Sequence, residues 1–457
     1  MKKILFLLVV ILLIAAVGFG DSTFESSIGS TVSQGYQREY KNLSNAMAKA
    51  GSLSDVRKYL AEWSREHEFA MYSDVYDNVV ILKGASPGFE KEDTTILHCS
   101  FALDPPESHA RSIAAALFAL AYAENHGSLE LLLTSDKTGD MQGAKKINGQ
   151  YLVADRLVNL DNRIDNTVIG AAVGACDYSL TKKIRWAAPT LSKAFEITID
   201  GLDVSSASPN AAQNPIKALC GIIFGAKGEG VKLELAAING GSALGQPPSV
   251  ATVTVLIDDD DVGRFAGRVA AAKAKYMSSF GESNPGLTYR FEEVQLPAKV
   301  VSEEDFASIT GLIYMVPDGV VLAAENGAPV AASSLGTVST YTGNFAAGIS
   351  ARSLSEDKMA ELSESIKTIC WLSNTACSEQ EISSAAADGD ALARELSALL
   401  EESQGAAVAV ENYLNDSEWA VLKNRSQSMD AASICVSGEK PQNAVKALLR
   451  FLNSRSF

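Results

Sequence analysis

Two textures of hydrophobic patterning divide the chain. In the first, apolar residues come in unbroken runs. "TTILHCSF" (94–101) and "SLELLLTS" (128–135) are apolar or β-branched almost throughout, as expected of strands buried on both faces. Between them, "SIAAALFALAYAE" predicts a buried, Ala-rich helix. Upstream, Val56, Tyr59, Leu60 and Trp63 recur at helical spacing, and Ser54 is a fair N-cap. "EFAMYSDVYDNVVILKG" reads as two strands joined by a turn near Asp77-Asn78. "RLVNLD" and "NTVIGAAVG" add strand pieces. This alternation of helix and strand, through Asp165, predicts an α/β sheet.

After Trp186 the texture changes. "FEITIDGLDV", "VKLELAAING" and "VATVTVLIDDDD" alternate apolar and polar residues, the pattern of half-exposed antiparallel strands. The four aspartates Asp258–Asp261 lack calcium-loop spacing. They read better as the acidic start of the amphipathic helix "DVGRFAGRVAAAKAKYM". "GNFAAGISARSLSEDKMAELSESIKTIC" predicts a strand and a helix, and "SEQEISSAAADGDALARELSALLEES" a surface loop and a helix. "AASICVSG" and "NAVKALLRFL" close the chain as strand and helix. The simplest architecture is an α/β domain made of residues 21–186 and 369–457. An α+β domain, residues 187–368, is inserted in it.

The 457 residues suffice for two or three cores. A net charge of −16 and a pI near 4.8 disfavour a nucleic-acid surface. Residues 1–20, "MKKILFLLVVILLIAAVGFG", have the basic start and apolar run of a secretory signal, with small Gly18 and Gly20 before a cleavage point. The run is also nearly long enough to remain as a membrane anchor. In either case the body is expected outside the cytoplasm, touching a membrane only through this segment. The six cysteines form no Cys-x-x-Cys pair. Cys370 and Cys377 either pair as a disulfide in an oxidising compartment or stay separate buried thiols.

The segment from Thr94 to His109 gathers His98, Cys99, Asp104, Glu107 and His109 at the end of a predicted strand, where α/β proteins carry their sites. Four segments in order are similar to the aminoacyl-histidine (carnosinase-like) dipeptidases of the di-zinc aminopeptidase and carboxypeptidase superfamily. "MYSDVYDNVVILKGASPGFE" resembles their early hairpin. "HGSLELLLTSDKTGDMQGA" resembles a His-Gly-Pro-Leu-Glu strand followed by Asp-Glu-Glu-Thr-Gly-Met. "RLVNLD…NTVIGAAVG" resembles their Leu-x-Asn-Leu-Asp strand and Gly-rich return. "SLGTVST" with "GISARSLSEDKMAEL" resembles parts of their inserted domain. The resemblance implies a mixed-sheet α/β/α peptidase-like domain carrying an inserted α+β lid and dimerisation domain. In that family two metal ions, held by carboxylates and histidines, activate a hydroxide beside a glutamate general base.

The same resemblance implies that most of this equipment is replaced. Ser100 and Ala102 occupy the places of the His-x-Asp pair, with His98 and Asp104 out of register. Ser108 or His109 stands nearest the bridging aspartate. Lys137 and Thr138 replace the paired glutamates, general base and metal ligand. Ser206 replaces a substrate-binding histidine, and Glu411 stands in for a late histidine ligand. Asp161 alone matches a metal-ligand position. One matched carboxylate falls short of the three or four protein donors that zinc needs.

The remaining residues have ordinary readings beside sharper ones. His126 is expected to be structural, and His67 a surface residue at a helix end. His109 is the histidine nearest the old site. Lys137 either pairs with Asp161 or is simply solvated. Cys99 and His98, adjacent on a strand, point to opposite faces and make a poor nucleophile and base. No Gly-x-Ser-x-Gly elbow or phosphate-binding loop occurs. The expectation adopted is an exported, metal-free and hydrolytically inactive relative. It would bind a peptide or amino-acid derivative, or assemble with itself or with an active homologue. The alternative is a zinc dipeptidase with a displaced ligand set of Asp161, His109, Asp104 and Glu411.

Overall fold

The computed structural model describes residues 22–103, 106–135, 141–203, 213–245, 247–325, 327–341, 343–385, 390–414, 417–426, 428–436, 438 and 440–453. The chain divides into two compact units, one of residues 1–172, 386–412 and 417–457, the other of residues 173–385 and 413–416.

The first unit opens with two helices, α1 (Ser22–Lys49) and α2 (Leu53–Glu66). Ser52 holds the N-cap of α2, and Ser54, the residue expected there, lies within the helix; buried Leu53 already packs as its first residue. Six strands follow: β1 (Ala70–Ser73), β2 (Val79–Lys83), β3 (Thr95–Phe101), β4 (Leu129–Ser135), β5 (Arg156–Asn159) and β6 (Thr167–Ile169). Helix α3 (Pro106–Tyr122) crosses between β3 and β4, which pair in parallel, and α4 (Gln142–Lys146) follows β4.

The second unit begins with β7 (Gly174–Lys183), β8 (Trp186–Ala187) and β9 (Lys193–Asp200). Helix α5 (Pro215–Gly228), β10 (Leu233–Gly240), β11 (Ala251–Ile257), α6 (Val262–Phe280), β12 (Thr288–Val294) and β13 (Val300–Val301) continue it. Then come α7 (Glu303–Met315), β14 (Gly319–Ala323), β15 (Pro329–Tyr341), β16 (Asn344–Ser353), α8 (Glu356–Leu372) and β17 (Ala376–Ser383). Their main sheet is antiparallel, in the order β12-β9-β11-β10-β15-β16-β7-β17, with β14 beside β15. Its inward face packs with α5–α8 around Ile197, Leu235, Val253, Phe265, Leu312 and Ile366. The four aspartates form the approach to α6: Asp258 caps a short turn over Asp259–Asp261, and Asp261 accepts from Lys232 N–H at 2.8 Å.

This unit is wider than its sequence texture, which placed it at residues 187–368. Strand β7 lies ahead of the change in patterning because "GACDYSLTKK" continues the glycine-rich run. The sequence of strand β17 reads as a surface loop. It pairs with β7 from Ala376↔Thr181 to Ser383↔Ala175. It is polar because it is an edge strand exposed along most of its length, where charges discourage further pairing.

The chain returns to the first unit through α9 (Asp390–Gln404), β18 (Ala409–Glu411), α10 (Glu418–Arg425), β19 (Asp430–Ile434) and α11 (Pro441–Asn453). The completed sheet runs β1-β2-β4-β3-β5-β19-β6-β18, with β4, β3, β5 and β19 parallel. Alternate residues go to opposite faces. Leu97, Cys99, Leu131, Leu133 and Val158 meet α1–α3, α9 and α11. Ile96, Leu132, Leu157 and Ala431 meet α4 and α10. The unit is therefore a three-layer α/β/α sandwich, and the fold is the mixed α/β domain with an inserted α+β domain.

Within the second unit, Asp305 ties the chain after β7 to the start of α7. Its carboxylate, 2% exposed, accepts from Arg185 N–H (2.8 Å), Nε (3.1 Å) and Nη2 (3.0 Å) and from the Ser302 hydroxyl (3.1 Å). The Arg185 guanidinium, first among these, holds the carboxyl well below the ordinary aspartate range, down to about 2. A carboxyl whose pKa is lowered by folding adds stability above its unfolded pKa and loses it as pH falls toward the folded one. Asp305→Asn should therefore cost about 2 kcal/mol at neutral pH, with roughly half of that difference gone by pH 3. Urea unfolding of both proteins across that range checks it. A difference independent of pH would contradict the ion-pair account.

Candidate functional site

The C-terminal ends of β3, β4, β5 and β19 carry a polar patch on the face that α10 covers. Residues 98 and 100 of β3 share parity with Ile96, and Asn159 and Asp161 share parity with Leu157, so all four face the same layer. Strand pairing aligns His98 with Leu132 and Asn159, Ser100 with Thr134, and Ser433 with Asn159. The patch thus follows from register: four parallel strands end in polar residues at one level.

Its lower tier is a closed hydrogen-bond network. His98 is fully buried, with Nε2 2.7 Å from Thr134 Oγ1 and Nδ1 2.9 Å from Asn159 Nδ2. The amide of Asn159 donates to Nδ1, and its oxygen accepts from the Ser433 hydroxyl at 2.5 Å. Burial pulls the imidazole pKa down to about 4, so the ring is neutral, and both its nitrogens are engaged. His98 is a packed core residue tying three strands together.

The upper tier is centred on Ser100. Its backbone N–H donates to Asp161 Oδ2 at 2.5 Å, and its hydroxyl donates to Glu418 Oε2. Its carbonyl oxygen lies 3.2 Å from His109 Nδ1 on α3. Glu418 is 8% exposed and is the first residue of α10, where the helix dipole favours negative charge. Asp161 forms an isolated bridge with Cys435 just past β19. Neighbouring Cys99 points to the other face; burial, then the charges of Asp161 and Glu418, push its thiol well above the ordinary range. It is no nucleophile in this setting.

Of the residues singled out from sequence, Ser100 and Asp161 are brought into contact, with His109 beside them. Ala102 follows β3, half-buried. Lys137, Thr138, Asp104 and Ser206 lie outside the described residues. Glu411 ends the outer strand β18, aligned with Ile169 of β6. Three strand spacings separate β18 from β5, roughly 14 Å, so Glu411 does not join Asp161. The late carboxylate at this site is Glu418 instead. Sequence reasoning missed it, although the serine before it and the apolar "WAVL" after it mark a helix start. His126 is buried, with Nδ1 2.6 Å from Gly127 O. His67 ends α2 and stacks on Trp63.

These donors do not fit a two-metal centre. Each carboxylate already accepts a hydrogen bond from Ser100, and His98 spends both nitrogens within the sheet. Among the described residues, no three His, Cys, Asp or Glu side chains converge on one point.

No family model matches the chain. It is 24% identical over 331 residues to a cytosol non-specific dipeptidase of Escherichia coli (strain K12), covering 63% of this chain and 67% of that one. The aminoacylhistidine dipeptidase of Vibrio alginolyticus superposes with a TM-score of 0.75 over 91% of this chain and 96% of its own, at 18% identity. The chain thus has the fold of that aminoacylhistidine dipeptidase and is similar in sequence to the non-specific dipeptidase. A tripeptidase from Staphylococcus aureus shares the fold more distantly, at a TM-score of 0.50 and 12% identity over 92% of this chain and 98% of its own.

The upper tier can be tested by a thermodynamic cycle. Ser100→Ala removes a hydroxyl from a buried carboxylate and should cost about 2 kcal/mol. Glu418→Gln should cost less in the Ser100→Ala background than in the wild type, with a coupling of about 1 kcal/mol or more. Strictly additive effects in urea unfolding would contradict the contact.

Proposed function

We propose that this chain is a member of the dipeptidase family that does not hydrolyse peptides and acts as an exported binding or structural protein. What supports the reading is the double role of Ser100. It stands where the family resemblance places a metal-binding histidine, and it supplies one proton donor to each of two carboxylates. Hydrogen bonds thereby do for Asp161 and Glu418 what cations do in a metal-dependent relative. The ligand class that suits the family relationship is a peptide or amino-acid derivative, bound without cleavage. The location outside the cytoplasm rests on the Lys2-Lys3 start and the apolar run to Gly20, and cell fractionation checks it.

The deciding experiment measures zinc content and hydrolysis of Xaa-His dipeptides on the same preparation, purified without added metal. Substoichiometric zinc and a rate equal to the blank are expected, and Ser100→His alone should restore neither. Stoichiometric zinc, with hydrolysis abolished by Asp161→Ala, would overturn the proposal in favour of a displaced ligand set.

A further inference from the structure

Helix α8 and strand β17 run back to back through a short turn. The turn is tightly held: Ser373 N–H donates to Ile369 O (3.0 Å), Asn374 N–H to Trp371 O (3.1 Å) and Thr375 N–H to Cys370 O (2.9 Å). Asn374 takes the left-handed conformation, φ 49°, that reverses the chain. Ser363, Lys367 and Cys370 fall at i, i+4 and i+7 and so share one stripe of α8. Cys377 and Glu379 share one face of β17. The two rows match: Lys367 forms an ion pair with Glu379, the Ser363 hydroxyl lies 3.4 Å from Glu379 Oε2, and the Cys370 and Cys377 thiols are in hydrogen-bond contact.

We propose that Cys370 and Cys377 are a redox site, a dithiol that closes to a disulfide and staples the end of α8 to the edge strand β17. Access is asymmetric. Cys377 is half-buried and reachable, whereas Cys370 is 1% exposed. Cys377 is therefore the first nucleophile. Its thiolate attacks a low-molecular-weight disulfide, forming a mixed disulfide and expelling one small thiolate. The Cys370 thiolate then attacks the Cys377 sulfur and expels the second. The two protein thiols lose two protons and two electrons, and the small disulfide leaves as two thiols. Burial pushes the Cys370 thiol up to about 12, so closure accelerates with rising pH. The adjacent groove of about 720 Å³, lined by Lys367, Trp371, Glu379 and Cys176, borders the pair. Closing the disulfide fixes the wall of that groove.

Cys176 is the natural competitor, being free and in the same groove. Register excludes it. Cys377 is opposite Leu180, and Cys176 lies four residues further along β7, roughly 13 Å away.

The test equilibrates the full chain in reduced and oxidised glutathione at mildly alkaline pH, blocks remaining thiols and maps the peptides by mass spectrometry. A Cys370–Cys377 cross-link, lighter by two hydrogen atoms, is expected. The oxidised protein should melt about 5 °C above the reduced one. Cys377→Ser should abolish both effects and Cys176→Ser neither. Mapping the wild type needs no variant, should a variant fail to fold. A cross-link from Cys377 to Cys176, or Cys377 left as a stable glutathione adduct with Cys370 unreacted, would overturn the proposal.

Discussion

A half-buried carboxylate, Asp161, and a buried one, Glu418, meet at the ends of the parallel strands and must be satisfied there, and the strand-end patch is organised around that constraint. A carboxylate withdrawn from water costs several kcal/mol unless it is paired or hydrogen-bonded. Asp161 and Glu418 meet the condition through Ser100, whose N–H and hydroxyl reach them from one residue. Each charge-assisted bond contributes roughly 1.5–3 kcal/mol. Beneath them, the bonds among Thr134, His98, Asn159 and Ser433 fix the register of β4, β3, β5 and β19. The strand-end patch is thus hydrogen-bonded from within the protein. Moving Ser100 would disturb α10 through Glu418 and the chain after β5 through Asp161.

The legible part of the fold is the part whose sequence repeats with the period of its burial. β3 and β4 are apolar on both faces and are central strands; α3 is Ala-rich and buried from Ser112 to Leu120. The alternating runs at β9, β10 and β11 carry the antiparallel sheet of the second unit. Illegible parts are those where burial is one-sided or absent. β17, "ACSEQEIS", reads as loop because an edge strand has no neighbour to demand apolar residues. The near edge of the second unit was hidden because β7 follows a glycine-rich run without a break in composition.

The candidate site was legible in its centre and not at its rim. Ser100 and Asp161 could be placed because each ends a strand whose apolar run fixes the alignment. Glu411 stands out only by local likeness in a stretch with little periodicity, and it lies on the outermost strand. Glu418 carries the contact to Ser100, yet an acidic first residue is so common in helices that its charge signals nothing by itself. The meeting of residues 100 and 418 is tertiary, spanning 318 positions.

The fold of a dipeptidase leaves open how the carboxylates at its sheet ends are satisfied, because burial requires partners for them and does not specify which. Ser100 makes hydrogen bonds the satisfying agent in this chain. The most direct test is a diffraction structure of crystals grown with zinc, with data collected at the zinc absorption edge. The account predicts no anomalous peak between Asp161 and Glu418, and a Ser100 hydroxyl still within hydrogen-bond distance of Glu418. A zinc peak ligated by both carboxylates, with the Ser100 hydroxyl displaced, would contradict it.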